Sequence, residues 1–170
     1  IRQISRQGDG PGELSNISFE FFQMNGRTLV INMLKQGFVV FDDSLAFLEE
    51  IQHWVNNPPM QCVALNDSTL AAYKPDYSEN DGQNFTLYRR LVSFPYGQAD
   101  YEHVFWADST SISLSDLIAG GASDMINDFL LGITVGGNRD LLLMALRVSE
   151  EYKVQAWLPD GTEAFTITLD

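Results

Sequence analysis

The sequence predicts an all-β protein made of repeated four-stranded antiparallel sheets, the blades of a β-propeller. The first observation is a turn followed by an apolar strand, which occurs three times and begins at Asn25, Asn66 and Gly137. In the first two copies the apolar runs align at Leu29 and Leu70, which lie 41 positions apart. A repeat of this length is typical of one propeller blade.

A second repeated unit supports the same register. Residues 40–48 align without gaps with residues 156–164, and each segment reads as a strand, a turn and a strand. These segments are 116 positions apart, close to the 112 positions between Leu29 and Leu141. Leu141 follows Leu70 by 71 positions, which is longer than one blade. The sequence therefore predicts about three blades, the second of which carries an insertion.

Turn signals divide each repeat into short strands. Asn25-Gly26, between two apolar runs, is the strongest hairpin signal among them. The predicted strands are 17–24, 28–33, 37–42 and 46–53 in the first repeat, 60–65, 69–74 and 84–91 in the second, and 129–135, 140–148, 152–158 and 162–169 in the third. A polar loop is expected over 74–84.

The predicted organisation is a single propeller fragment over residues 1–170. It contains the last strand of a preceding blade (1–5), one blade (6–53), a blade with an insertion (60–125) and a third blade (126–170).

The insertion in the second repeat begins at residue 92, where the strand pattern breaks, and ends at residue 125. We predict a turn at Phe94-Pro95-Tyr96-Gly97, a short aromatic strand over 101–106 and a helical turn over 113–119. Ser113 caps that helical turn, with Asp116 in the carboxylate position of a capping box. Because loops carry most of the variation among related folds, we interpret the insertion as an elaboration at a blade edge. A lid or partner-binding element over one face is the alternative.

The segment that follows the last strand of the preceding blade and opens the first predicted blade is rich in glycine. Residues 8–14 read Gly8-Asp9-Gly10-Pro11-Gly12-Glu13-Leu14, and we call them the Gly-Pro turn. Proline fixes its own φ angle and glycine accepts a positive φ without steric cost, so a tight reversal is expected. We expect a positive φ at Gly12, and we expect Glu13 to accept hydrogen bonds from the N–H groups of the turn or to pair with Arg6. The residues given a structural role are Gly8, Gly10, Pro11 and Gly12.

The Gly-Pro turn follows a short strand and precedes hairpins that end at Val40-Phe41-Asp42. In this it resembles the TolB-like six-bladed β-propeller family of Gram-negative cell-envelope proteins, which often carries a Gly-Gln-Gly-Pro-Gly-Glu-Phe version of the turn. This chain departs from that version at Asp9 and Leu14. The resemblance implies a six-bladed ring, of which this chain is a partial set of blades, in the periplasm or anchored to the outer membrane. Many members are lipoproteins, and the resemblance implies no catalytic residues.

Composition excludes several classes of partner. The chain has 10 basic and 23 acidic residues, a net charge of −13. Arg89-Arg90 is the only adjacent basic pair, so a phosphate backbone or an anionic membrane surface would be repelled. No apolar run reaches the roughly 18 residues that a membrane helix needs. We therefore expect no nucleic-acid partner and no transmembrane segment in this chain.

The metal-binding and catalytic patterns in the sequence are incomplete. His53 and His103 are 50 positions apart and lack the ligand spacing of a zinc site, and Cys62 is the only cysteine. Residues 76–82 place oxygen ligands at alternate positions, as a calcium loop does, but the required Gly and Glu are absent at its sixth and twelfth positions. No Gly-x-Ser-x-Gly nucleophile elbow occurs. We therefore expect no catalytic residue, no metal site and no cofactor, calcium included.

The predicted function is a non-catalytic binding or scaffold propeller of the cell envelope that holds a protein or a glycan. The alternative is a propeller-type hydrolase or lyase with its site in the central channel. The predicted innermost strands, 17–24, 60–65 and 129–135, contribute Glu20 and Gln23 but no His, no Asp and no second Glu, which favours binding. The candidate binding residues are Arg6, Asp9, Glu13, Glu20 and Gln23.

Three blades do not close a ring, because propellers need roughly four to eight. If the chain is the whole unit, we expect a homodimer of half-rings to cover its two open sheet faces. If it is a fragment, its blades should form an open arc.

Overall fold

The computed structural model describes residues 7–8, 10–14, 20–52, 59–79, 82–98, 100, 102–119, 132–148 and 151–169. In that part of the chain it contains twelve strands and one short helix. The first sheet consists of β1 (Phe21–Met24), β2 (Arg27–Asn32), β3 (Gly37–Phe41) and β4 (Phe47–Gln52). The second consists of β5 (Gln61–Ala64), β6 (Thr69–Glu79), β7 (Asn84–Pro95) and β8 (His103–Ser113), followed by α1 (Leu114–Ile118). The third consists of β9 (Ile133–Gly137), β10 (Leu142–Val148), β11 (Glu151–Trp157) and β12 (Glu163–Leu169).

Each sheet is a simple meander in which every strand pairs antiparallel with the next. The predicted Asn25-Gly26 hairpin is confirmed, since it joins β1 to β2 with φ angles of 53° at Asn25 and 68° at Gly26. A two-residue turn of type I′ requires positive φ at both positions, which explains the pair of residues found there. The predicted fold class, three four-stranded antiparallel sheets, is therefore the fold that the chain adopts.

The predicted strands of the first and third sheets agree closely with the structure. The predicted strands 37–42 and 152–158, for example, are Gly37–Phe41 and Glu151–Trp157. The predicted strands 17–24 and 129–135 both begin outside the described residues, which resume at residues 20 and 132. The strand predicted at 1–5 lies wholly outside them.

The three sheets stack face to face in sequence order. The buried core between the first and second sheets consists of Met24, Leu29, Ile31, Phe38, Val40, Cys62, Leu70, Ala72, Val92 and Phe94. The buried core between the second and third sheets consists of Leu65, Ala71, Tyr73, Leu91, Ile133, Val135, Leu142, Met144, Leu146 and Trp157. Successive side chains of a strand point to opposite faces, so β6 contributes to both cores. The second sheet is thus covered on both faces.

The sheets converge at their first strands. Between sheets, the backbones approach most closely where β1 lies beside β5 and where β5 lies beside β9. The sheets therefore spread outwards from a common line, as blades spread from an axis. The turns that follow β1, β5 and β9 meet at one end of this line.

The second sheet differs from the prediction. Residues 74–79 are part of β6 and not of a loop, and β7 continues through residue 92 to Pro95, so the expected break in the strand pattern is wrong. His103–Ser113 forms a full fourth strand, where we expected only a short aromatic strand inside an insertion. Pro75 lies within β6, and beyond Tyr73 the described part of this strand pairs with β7 and not with β5. A proline is tolerated at such a sheet edge because no ladder hydrogen bond is lost there.

The helical turn at the end of the second sheet is confirmed. Ser113 Oγ accepts a hydrogen bond from the Asp116 N–H at 3.1 Å, which is the N-cap bond of a capping box. The Ser113 hydroxyl also donates to Asp116 Oδ2 at 2.6 Å, a bond between the two side chains. The helix ends at Ile118. Within the described ranges, no helix has the length and apolar character to cross a membrane.

Candidate functional site

The turns after β1, β5 and β9 line an open surface cavity of about 340 Å³, which we call the three-turn pocket. Its polar lining residues are Gln23, Asn25, Asn66, Asp67, Asn138 and Arg139. Its apolar lining residues are Phe22, Met24, Val63 and Ala64. These turns are the ones whose recurrence in the sequence predicted the blades. Each sheet therefore contributes the same structural position to one site.

Polar contacts connect the three turns to each other. Asn25 Nδ2 donates a hydrogen bond to the Asp67 carbonyl oxygen at 2.8 Å, which links the first sheet to the second. The Arg139 guanidinium donates to Asp67 Oδ1, which links the second sheet to the third. Both side chains of this ion pair are largely exposed, so its contribution to stability is small, at most about 1 kcal/mol. It is a polar contact between the turns of neighbouring blades.

Two of the lining asparagines are fixed by their own turns. Asn66 Oδ1 accepts hydrogen bonds from the Ser68 N–H at 2.8 Å and the Ser68 hydroxyl at 3.1 Å. Asn138 Oδ1 accepts from the Asp140 N–H at 2.9 Å and the Leu141 N–H at 3.0 Å. These contacts are Asx turns, in which a side-chain oxygen satisfies the backbone of its own turn. The amide oxygens are therefore occupied, and within the described ranges the two Nδ2 groups have no hydrogen-bond partner.

The apolar floor of the pocket is continuous with the core. Met24 is a buried member of the core between the first two sheets, and Phe22 packs against that core. The Phe22 ring meets the Phe38 ring edge to face, with 5.6 Å between centroids and 81° between planes. The floor is thus held by the same packing that joins the blades.

The predicted binding residues lie in different places. Gln23 lines the three-turn pocket. Glu20 is close to Gln23 in sequence, but it is not a lining residue of the pocket. Its Oε2 accepts a hydrogen bond from the Cys62 N–H at 3.1 Å, and this bond connects the first sheet to the second. Glu13 belongs to the Gly-Pro turn, whereas Arg6 and Asp9 lie outside the described residues. Sequence reasoning did not select the asparagines, Asp67 and Arg139, although the recurring turn was the signal that could have found them.

The Gly-Pro turn binds the outer face of the first sheet. Leu14 packs against the buried side chains of that face, and Gly12 has the expected positive φ of 72°. Glu50 Oε1 accepts a hydrogen bond from the Gly12 N–H at 2.8 Å. Lys35 Nζ donates to the same carboxylate oxygen at 2.6 Å and to the Gly10 carbonyl oxygen at 2.7 Å. Lys35 lies in the β2–β3 turn, at the opposite end of the sheet from the pocket.

Within the turn, Glu13 takes one of the two expected roles. Glu13 Oε2 accepts a hydrogen bond from the Gly10 N–H at 2.9 Å. The same oxygen fills the space beside Gly8, where a Cβ atom would clash with it. The alternative pairing with Arg6 falls outside the described residues.

Of the residues considered for metal binding, His53 lies outside the described residues. In the described part of the chain, no three His, Cys, Asp or Glu side chains lie close enough to hold a metal ion. His103 packs edge to face on Phe105, with 4.8 Å between ring centroids, and lies against Gly161. Cys62 is buried, and burial raises the pKa of its thiol well above the usual 9.0. Asp76 lies on β6 opposite Tyr88, not on the loop that we compared with a calcium site.

Glu20 makes stability depend on pH. Partial burial raises the pKa of Glu20 above the usual 4.5, and the hydrogen bond from the Cys62 N–H only partly opposes this. A carboxyl group whose pKa is raised in the folded state contributes stability that is fully present below its unfolded pKa. That contribution is lost as the pH rises through the folded pKa.

We therefore expect Glu20→Gln to raise the melting temperature at pH 7, because glutamine keeps an acceptor for the Cys62 N–H without a partly buried charge. The difference from the wild type should shrink as the pH falls below 4.5. Thermal melts at pH 4 and pH 7 measure both effects. Glu102→Gln removes a charge from an exposed position and is the matched control. A lower melting temperature for Glu20→Gln at pH 7 would contradict this prediction.

A family model described as a 6-bladed beta-propeller matches residues 1–135, well over half of the chain. The chain belongs to the DUF5128 family of 6-bladed beta-propellers. The predicted propeller fold is therefore confirmed. The matched region covers the first two sheets of the propeller and the start of β9. The turns after β1 and β5 therefore lie inside it, and the turn after β9 lies beyond it.

A comparison with solved structures finds a similarity between this propeller and the crystal structure of a candidate exported protein from Bacteroides fragilis. The two chains are 11% identical, with a TM-score of 0.44. The alignment covers 99% of this chain and 62% of that chain, so the propeller spans less than two thirds of that protein's length. A comparison with curated proteins finds no match.

Proposed function

We propose that this propeller is a non-catalytic binding module of the cell envelope, and that its ligand occupies the three-turn pocket. The observation that carries the proposal is the convergence of one equivalent turn from each blade on a single cavity with a polar rim and an apolar floor. Concave sites of this composition are the usual places where proteins bind ligands. The envelope location, and membership of the TolB-like group within six-bladed propellers, rest on the resemblance of the Gly-Pro turn.

The chemistry of the lining favours binding over catalysis. Its polar side chains are carboxamides and one acid and one base, Asp67 and Arg139, which are paired with each other. A hydrolase of the channel type needs a nucleophile with a base, or a group of metal ligands. The described lining of the pocket contains neither arrangement. The ligand is a protein or a glycan, because the net charge of −13 opposes a nucleic acid.

Backbone amide NMR shifts test the proposal. Two sets of probes are added separately to the labelled protein: neutral malto-, cello-, xylo- and manno-oligosaccharides, and short capped peptides of mixed sequence. We expect one set to shift the amide signals of residues 23–26, 64–67 and 137–139, with no probe converted to product. Shifts confined to another surface, turnover of a probe, or no shift from either set would each overturn the proposal.

The proposed module also needs further cover on the two outer faces of its sheet stack, beyond the contact that the Gly-Pro turn makes with the first sheet. Phe21 on the first sheet is 74% exposed, and Phe165 and Ile167 on the third sheet are 42% and 47% exposed. A six-bladed ring needs more blades than the three sheets described here. Further blades would supply this cover in a longer chain. If the three sheets are the whole unit, we propose a homodimer of half-rings, and a dimer mass in light scattering is the expected result.

A further inference from the structure

We propose that the three-turn pocket binds a neutral oligosaccharide. This inference rests on the function proposed above and specifies its ligand. Three features of the pocket carry it: local charge, hydrogen-bonding capacity and the apolar floor.

The pocket is locally neutral although the chain is strongly acidic. The two ionisable side chains of its lining, Asp67 and Arg139, are paired with each other. An anionic ligand at Arg139 would have to displace Asp67 and approach a chain with a net charge of −13. A cationic ligand at Asp67 would have to displace Arg139. An uncharged ligand leaves the pair intact.

The hydrogen-bonding groups left for a ligand are mixed donors and acceptors. Asn66 and Asn138 use their Oδ1 atoms within their own turns, which leaves their Nδ2 groups as donors. Asn25 uses Nδ2 on the Asp67 carbonyl, which leaves Oδ1 as an acceptor. The Gln23 amide offers both. Sugar hydroxyls both donate and accept, so they match this set.

The same turn contacts hold these groups in place before a ligand arrives. Ordering side chains on binding costs free energy, and a preformed arrangement avoids most of that cost. The apolar floor formed by Phe22, Met24, Val63 and Ala64 suits the C–H face that a sugar ring presents beside its hydroxyls. A peptide added to a sheet needs a length of backbone along a strand edge, whereas this pocket is lined by turn residues and strand ends.

Two isosteric substitutions isolate the proposed donors. Asn66→Asp and Asn138→Asp keep the Oδ1 acceptor that each turn uses and replace the Nδ2 donor by an oxygen. Gln52→Glu is the matched control, since it makes the same change of charge at an exposed position on β4. Gln52 pairs with Gly37, at the end of the first sheet opposite the pocket.

The inference is tested by titrating the protein with four neutral hexasaccharides and monitoring the same backbone amide shifts. The hexasaccharides are maltohexaose, cellohexaose, xylohexaose and mannohexaose. We expect at least one of them to bind the wild type, with an affinity that added salt does not weaken. Asn66→Asp and Asn138→Asp should each weaken that affinity by about tenfold, and Gln52→Glu should not. Thermal melts of all three variants verify that they fold.

The outcomes separate this inference from the proposed function. If the capped peptides shift the pocket amide signals and none of the hexasaccharides does, the inference of an oligosaccharide ligand is wrong, while the proposal of a binding site at the pocket is retained. If neither set shifts them, both proposals fail. The inference of an oligosaccharide ligand is also wrong if Gln52→Glu weakens hexasaccharide binding as much as the pocket variants do, or if added salt abolishes that binding.

Discussion

Replacing Phe38 by alanine is expected to destabilise the protein by about 3–5 kcal/mol. Phe38 is 1% exposed and lies in the core between the first and second sheets. Its loss leaves a cavity there and removes the edge-to-face contact with Phe22. Because Phe22 also lines the three-turn pocket, the floor of that pocket loses its support. Urea denaturation measures the free energy of unfolding.

Phe165→Ala is the control for this prediction. Phe165 is 42% exposed on the outer face of the third sheet, so the same truncation removes a side chain that is only partly buried. We expect it to cost clearly less than Phe38→Ala. Equal losses for the two variants would show that the core between the first two sheets does not dominate stability.

Replacing Gly12 by valine is expected to cost about 2–4 kcal/mol, the second large effect. Gly12 has a φ of 72°, which a residue with a Cβ atom adopts only with strain. A Cβ at this position would also lie 2.8 Å from the Phe47 ring, which is too close without movement of that ring or of the turn. Thermal and urea denaturation of the variant measure the loss.

Glu13→Gln in the same turn is expected to cost under about 1 kcal/mol. Glutamine retains an oxygen that can accept the hydrogen bond from the Gly10 N–H. The comparison separates backbone strain from side-chain pairing within one turn. If Glu13→Gln proved the more destabilising of the two, or abolished ligand binding at an unchanged melting temperature, the structural role of the Gly-Pro turn would be wrong.

Local signals in the sequence were sufficient for the blades but not for the length of the second sheet. Asn25-Gly26 identified a hairpin because the backbone of a two-residue turn accepts few residue types. Pro75 is also a local signal, but its meaning depends on a distant fact, namely where β5 stops pairing with β6. The pairing of β5 with β6 ends at Gln61 and Tyr73, and no residue pattern near Pro75 indicates this end point.

The candidate site was partly accessible from the sequence for a similar reason. Gln23 was selected because it lies on an innermost strand, and it does line the pocket. Asp67 and Arg139 are 72 positions apart and were noticed only as parts of a repeat. In a meander the turn after each first strand falls at the same end of its sheet, so equivalent turns of adjacent blades meet. That step from repeat to site requires the relative placement of the sheets, which the spacing alone does not supply.

The polar side chains that would face a ligand are separate from those that pack the cores, although the apolar floor of the pocket is shared with them. Asn25, Asp67 and Arg139 belong to none of the three buried clusters of the stack. Substitutions in these turns can therefore change what the pocket accepts while the cores, and with them the blades, stay as they are. If the three-turn pocket binds a ligand as proposed, exchange of a few turn residues would alter that ligand with little resistance from selection for stability.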